Sequence, residues 1–258
     1  MITTAITDRL ANVDGQFGVD YINLGTDQEF FFGNCQVFSG SGAVMLMAIV
    51  ECFRAISAGE LNENKGFRLC QKDYKDDAEP SYGVLKYLHD GIEVTVSDLY
   101  NLTATVSDNM AFNVLTDILG IEKINQTFRA LGYTDMRINR KINDRKKMTE
   151  GVQNYVSVRE MAALFHRIYK GQLISEEVSE NLLSLLKQHQ RTSMIPYIFK
   201  ETVPIAHITG FDEDIIIDGG IVLTEKPFIL VMAAQDTDIR KAQTIMRDIT
   251  QICHLNTK

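Results

Sequence analysis

The spacing of apolar residues changes twice along this chain. Over residues 3–13, Ala5, Ile6, Leu10 and Ala11 fall at helical spacing, which predicts a short helix. The runs 17–24 and 29–32 are β-prone, and Gly25-Thr26-Asp27 between them predicts a hairpin. Ser39-Gly40-Ser41-Gly42 then opens an apolar stretch over 43–56 that only Glu51 and Arg54 interrupt. A helix apolar nearly all round is buried, and this one is too short and too interrupted to span a bilayer. Ser41 or Ser39 is its expected N-cap.

The middle of the chain has helical spacing over 97–105, 109–119, 121–130, 157–169 and 175–190. Ser157 and Glu160 have capping-box spacing. The polar stretch 137–154 reads as a long loop, a length usually kept for function. Three β-rich runs follow at 203–209, 215–223 and 227–234, and an amphipathic helix over 239–252 closes the order. The fold class this predicts is α+β: one antiparallel sheet built from both ends of the chain, flanked by terminal helices, with an inserted all-helical domain. The expected division is 1–36 with 196–258 for the sheet and 37–195 for the helices.

Composition narrows the function classes. The 258 residues are 45% hydrophobic and 23% charged, which excludes a disordered chain, a collagen and a coiled coil. The net charge of −8 argues against a dedicated nucleic-acid partner, which needs a basic face. Cys35, Cys52, Cys70 and Cys253 form no CxxC pair, so free thiols are expected and no metal site. His166 and His189 lack metal-ligand spacing, and no cofactor is implied. No basic leader with an apolar stretch opens the sequence, and no membrane span is visible. The expected location is the cytoplasm as the sequence stands, or outside it if a leader has been removed.

Several motifs then carry a resemblance. Asp90-Gly91-Ile92-Glu93-Val94-Thr95-Val96-Ser97-Asp98-Leu99 leads into Ser107-Asp108-Asn109, with Ala111, Asn113 and Leu115 behind it. Asn154 to Met161 forms a second segment, and Val203 to Gly210 followed by Asp218-Gly219-Gly220-Ile221-Val222 a third. Together, over nearly the whole chain, they resemble the class A β-lactamase and penicillin-binding serine hydrolase family, whose signatures are Ser-x-x-Lys, Ser-Asp-Asn and Lys-Thr-Gly. The resemblance implies a β-lactamase/transpeptidase-like fold.

The departures bear on the chemistry. Counted from Phe38, the family's nucleophilic serine falls on Gly42 and its lysine on Met45, while the lysine of Lys-Thr-Gly falls on Ile208. Acyl transfer needs a nucleophile that can be deprotonated, and Gly42 has no side chain. Ser41 and Ser39 offer hydroxyls nearby, without a lysine three residues on. A one-residue slip in a helix turns a side chain by about 100°, so Ser41 is expected to point away from the family pocket. Glu150 and Asn154 have the spacing of the family's omega-loop base and asparagine. The resemblance also places an oxyanion hole at the N–H groups of Gly42 and Phe211, with Ser107, Asn109, Thr209 and Gly210 around a ligand.

Two functions stay open. One is a catalytically inactive binding protein for a small carboxylate or peptide-like ligand, without a known protein partner. The other is a divergent serine hydrolase acting through a displaced serine such as Ser41, with Glu150 as base. The groove is expected either to stay open or to be filled by Met45, Ile208 and Phe211. His207 is expected on the opposite face of its strand from the pocket, and the basic run from Arg140 to Lys147 in the long loop reads as solvated.

Overall fold

The computed structural model describes residues 2–11, 13–70, 82–199 and 203–257. Helix α1 (Ile2–Leu10) leads into β1 (Gln16–Asn23) and β2 (Gln28–Gly33), the expected hairpin. A short β3 (Val37–Ser39) and a 3-10 turn (Ser41–Val44) precede α2 (Met45–Ser57), ten of whose residues are buried. Next come β4 (Gly66–Arg68), β5 (Glu93–Thr95), α3 (Val96–Val106), α4 (Asn109–Leu119), α5 (Ile121–Ala130) and α6 (Arg145–Thr149). After β6 (Tyr155–Ser157) stand α7 (Val158–Tyr169) and α8 (Glu176–Leu186). The last elements are β7 (Ile205–Phe211), β8 (Ile215–Val222), β9 (Phe228–Gln235) and α9 (Ile239–Asn256).

The five long strands form one antiparallel sheet in the order β2-β1-β9-β8-β7. Alternation along β1 explains how both faces are covered. Phe17, Val19 and Tyr21 join the cluster that includes Ile245, Met246 and Ile249 of α9, while Ile22 joins the larger cluster of the helices. The larger cluster runs unbroken from the sheet into α2, α4 and α7. Its centre is α2, whose lack of a polar face matches its burial on all sides. Among the described residues no helix is long and apolar enough to cross a membrane. All four cysteines are free thiols, Cys52 and Cys253 buried and Cys35 and Cys70 half-buried.

Three local expectations are corrected. No serine caps α2: the 3-10 turn intervenes, Gly40 stands before it without a side-chain cap, and Val44 occupies the N-cap of the α-helix. Ser41 is instead part of the turn, with φ +40. Ser157 does cap α7, but Glu160 does not reach back to complete the box. Its carboxylate accepts the backbone N–H groups of Thr134, Asp135 and Met136 at 2.7–3.1 Å, fixing the connection from α5. The true capping box is Thr95 with Asp98, at α3. The polar stretch 137–154 is not bare loop: Asp144 caps α6 there, and Arg137 bridges to Tyr155.

Candidate functional site

A cavity of about 310 Å³ opens where the 3-10 turn, the α3–α4 junction, the 140–148 stretch and the end of β7 meet. The turn supplies Ser41 and Gly42 to its wall. The turn lies tightly against β7. A Cβ at residue 210 would stand 2.9 Å from the Ala43 nitrogen, so only glycine lets strand and turn approach this closely. A Cβ at residue 42 would stand 3.2 Å from the Thr209 carbonyl oxygen, a tight but accommodable fit.

The α3–α4 junction is held by Asp108. One carboxylate oxygen accepts the N–H groups of Val84 (2.6 Å) and Leu85 (2.8 Å), and the other those of Met110 (3.1 Å) and Ala111 (3.0 Å). It caps α4 and ties down the 82–85 segment at once. Gly83, at φ +111, leaves room for that carboxyl, where a Cβ would collide with it. Ser107 sits at φ 54 as the C-cap of α3, and its hydroxyl is buried without a hydrogen-bond partner among the described residues. Asn109 donates its backbone N–H to the Tyr82 carbonyl at 3.0 Å. With its amide turned to pair both atoms, it donates to the Ser107 carbonyl (3.3 Å) and accepts from Tyr82 N–H (3.2 Å).

Tyr82 in turn carries Arg191, whose guanidinium carbon lies 4.2 Å from the ring centroid. Arg191 comes from the segment crossing from α8 to β7 and lines the cavity. Burial pulls its pKa below the ordinary arginine value, and it forms no ion pair among the described residues. Arg140 also lines the cavity, but its guanidinium is spent on the carbonyls of Val152 and Lys141 and on Gln153 Oε1. Asn154 fixes the same stretch, accepting from Asn139 N and Arg140 N and donating to the Arg140 carbonyl.

The sequence-derived residues separate into three groups. Ser41, Gly42, Ser107, Asn109 and Phe211 line the cavity, joined by Asn154. Ser41 lines it from a turn whose positive φ departs from the helical course assumed from sequence. Met45 and Ile208 do not line it: both are fully buried in the larger core, so the cavity is not filled by them. Glu150 lies exposed at the C-cap of α6 and is not brought to the cavity wall. Thr209 and Gly210 sit beside it. Gly210 packs on the turn, and Thr209 lines a neighbouring hollow that shares Arg191 and Phe211.

Thr209 also ends a buried polar chain. His189 Nδ1 lies 2.6 Å from the Ala104 carbonyl, and Nε2 lies 3.0 Å from Thr209 Oγ1. The carbonyl can only accept, so Nδ1 carries the proton and the Thr209 hydroxyl donates to Nε2. Burial, with His207 alongside, pushes the His189 pKa down to about 3, which keeps the ring in this neutral form. His207 is buried and bonded to Asp218 of β8, off the cavity, as strand alternation predicted. Arg191 and His189 were not assigned to the site from sequence. Each lies between a helix and a strand, where no periodicity marks a functional position.

Among the described residues no cluster of His, Cys, Asp and Glu could hold a metal ion. The model of the β-lactamase enzyme family matches residues 1–256. A β-lactamase from Sphaerobacter thermophilus is similar over 99% of this chain and 96% of its own, at 25% identity and a TM-score of 0.88. The structure of PBP-A is similar over 98% and 94%, at 21% identity and 0.86. The TLA-3 extended-spectrum β-lactamase is similar over 100% and 98%, at 15% identity and 0.88. No curated protein sequence matches the chain.

Proposed function

Because the chain belongs to the β-lactamase enzyme family, we propose that it keeps that family's cleft as a binding site for a small carboxylate or peptide-like ligand and does not carry out acyl transfer. One observation carries this reading: among the described residues, the cavity wall presents an Arg191 guanidinium without an ion-pair partner and a buried Ser107 hydroxyl without a hydrogen-bond partner. A partly buried cation without an anion is costly, and so is an orphaned hydroxyl. A ligand with a carboxylate and an adjacent acceptor relieves both. Arg191 then supplies the positive charge that Ile208 lacks, its plane fixed by Tyr82 for two parallel hydrogen bonds to a carboxylate.

The same wall argues against turnover. Residue 42 has no side chain to attack a carbonyl. Met45 puts a thioether in the core where the family resemblance expects an ammonium, so no lysine there takes up a proton. A second reading has one observation in its favour. Ser41 lines the cavity from a strained, positive-φ turn. It would be the nucleophile if the protein acylates, although no side chain among the described residues hydrogen-bonds to it as a base.

Penicillin G separates the readings, since a mutant of the similar PBP-A is captured as an acyl-enzyme with it. Saturable binding with no added mass on the intact protein supports the binding function. A covalent adduct mapped to Ser41 overturns it in favour of hydrolysis.

A further inference from the structure

A second hollow, of about 460 Å³, is lined by described residues of the 187–199 stretch and of the start of β7. Its apolar wall includes Pro196, Phe199 and Ile205, and its polar groups include Lys187, Tyr197 and His207. His207 is 1% exposed. Its Nδ1 lies 2.9 Å from Asp218 Oδ1, and the other Asp218 oxygen accepts Ile195 N–H at 2.9 Å. Since that carboxylate accepts, Nδ1 holds the proton, and Nε2 is left without a partner among the described residues. His189, which packs edge-on against His207 at 4.7 Å between ring centroids, has both of its nitrogens engaged elsewhere.

We propose that this hollow is a second ligand site, separate from the cleft, and that it takes a small carboxylic acid with an apolar body. The ring nitrogen calls for that head group. A neutral His207 accepts at Nε2 and a protonated one donates there, and a carboxyl is matched to both, as acid to the first and as carboxylate to the second. Lys187, exposed at the wall, adds a positive charge on the approach. The proline, phenylalanine and isoleucine surfaces suit an aryl or alkyl body. The proposal does not depend on the reading of the cleft, because neither Lys187 nor His207 lines that cavity.

Benzoate is the probe, titrated into the whole protein with calorimetry and with proton–nitrogen spectra of the histidine rings. Saturable binding that moves the His207 Nε2 resonance is expected. Lys187→Glu, a change at an exposed position that leaves the fold intact, is expected to weaken it at least about fivefold. Arg191→Met is expected to leave it unchanged. Absence of binding, an unmoved His207 resonance at saturation, or an unaffected Lys187→Glu variant overturns the proposal. So does loss of binding in Arg191→Met, which would place benzoate in the cleft instead.

Discussion

Asp20 and Arg159 face each other at 3.7 Å across the packing of β1 on α7, and the pair is unequal. Asp20 is fully buried and neither carboxylate oxygen has a hydrogen-bond partner among the described residues. Arg159 is half exposed and turns its guanidinium to Glu29, at 3.0 Å. Burial first, and then the Glu29 charge, push the Asp20 pKa to about 8, against a smaller opposing pull from Arg159. The carboxyl is therefore kept as the neutral acid at neutral pH.

The sign of its effect on stability follows. The folded state holds this proton to higher pH than the unfolded chain, whose carboxyl titrates near 3.8. Stability is thus fully present below that value and is lost as pH rises toward about 8. Asp20→Asn is expected to raise stability at pH 8 by on the order of 3 kcal/mol and to flatten the decline from pH 4 upward. Urea unfolding of both proteins across that range measures it, and parallel curves would remove Asp20 as the cause.

Gly42→Ser adds a hydroxyl at the position where the sequence resemblance expects the nucleophile. The substituted protein is expected to fold, since its Cβ meets only a tight 3.2 Å contact with the Thr209 carbonyl. It is expected not to hydrolyse penicillin G, because Met45 and Ile208 remain buried in the core and bring no charge to the cleft. Steady hydrolysis by this single variant would show that the lysines are dispensable here.

Much of the fold was legible in sequence, and the reason is local. The hairpin of β1 and β2 and the helices α2 to α5 each have a periodicity that holds within one element. The short pairs β3–β6 and β4–β5 were not seen, because three-residue strands have no period and their partners lie far along the chain. The site was half legible. Ser107 and Asn109 follow from a motif, but the Arg191–Tyr82 stack and the His189–Thr209 bond join segments that only the tertiary fold brings together. The same holds for Ser41, whose place at the cavity wall comes with a backbone angle no residue pattern encodes.

Asp108 is expected to be the least replaceable side chain of the cleft, for a structural reason. Removing its carboxylate in Asp108→Ala leaves four N–H groups without their acceptor, in a place where it is 1% exposed. The cost is expected to be about 3–5 kcal/mol. Chemical denaturation measures it, and a loss below about 1 kcal/mol would mean that water takes over those bonds.

Arg191→Met is expected to leave stability unchanged or slightly higher, because the guanidinium has no ion partner among the described residues. Its affinity for penicillin G is expected to fall at least about tenfold. Calorimetry on the folded variant tests both halves, and unchanged affinity would take the carboxylate away from Arg191.

The order of the sheet also governs how the polypeptide is made. β1 pairs along its whole length with β9, Gln16 opposite Gln235 and Asn23 opposite Phe228. During synthesis the first hairpin leaves the ribosome with one side bare, and it stays so until β9 emerges. Helices α2 to α5 pack on one another in the meantime, whereas the β1 rim offers unpaired peptide groups to any other nascent chain. Closing the sheet is thus the late, long-range step of folding, and slow translation before β9 prolongs the interval in which that rim stands open.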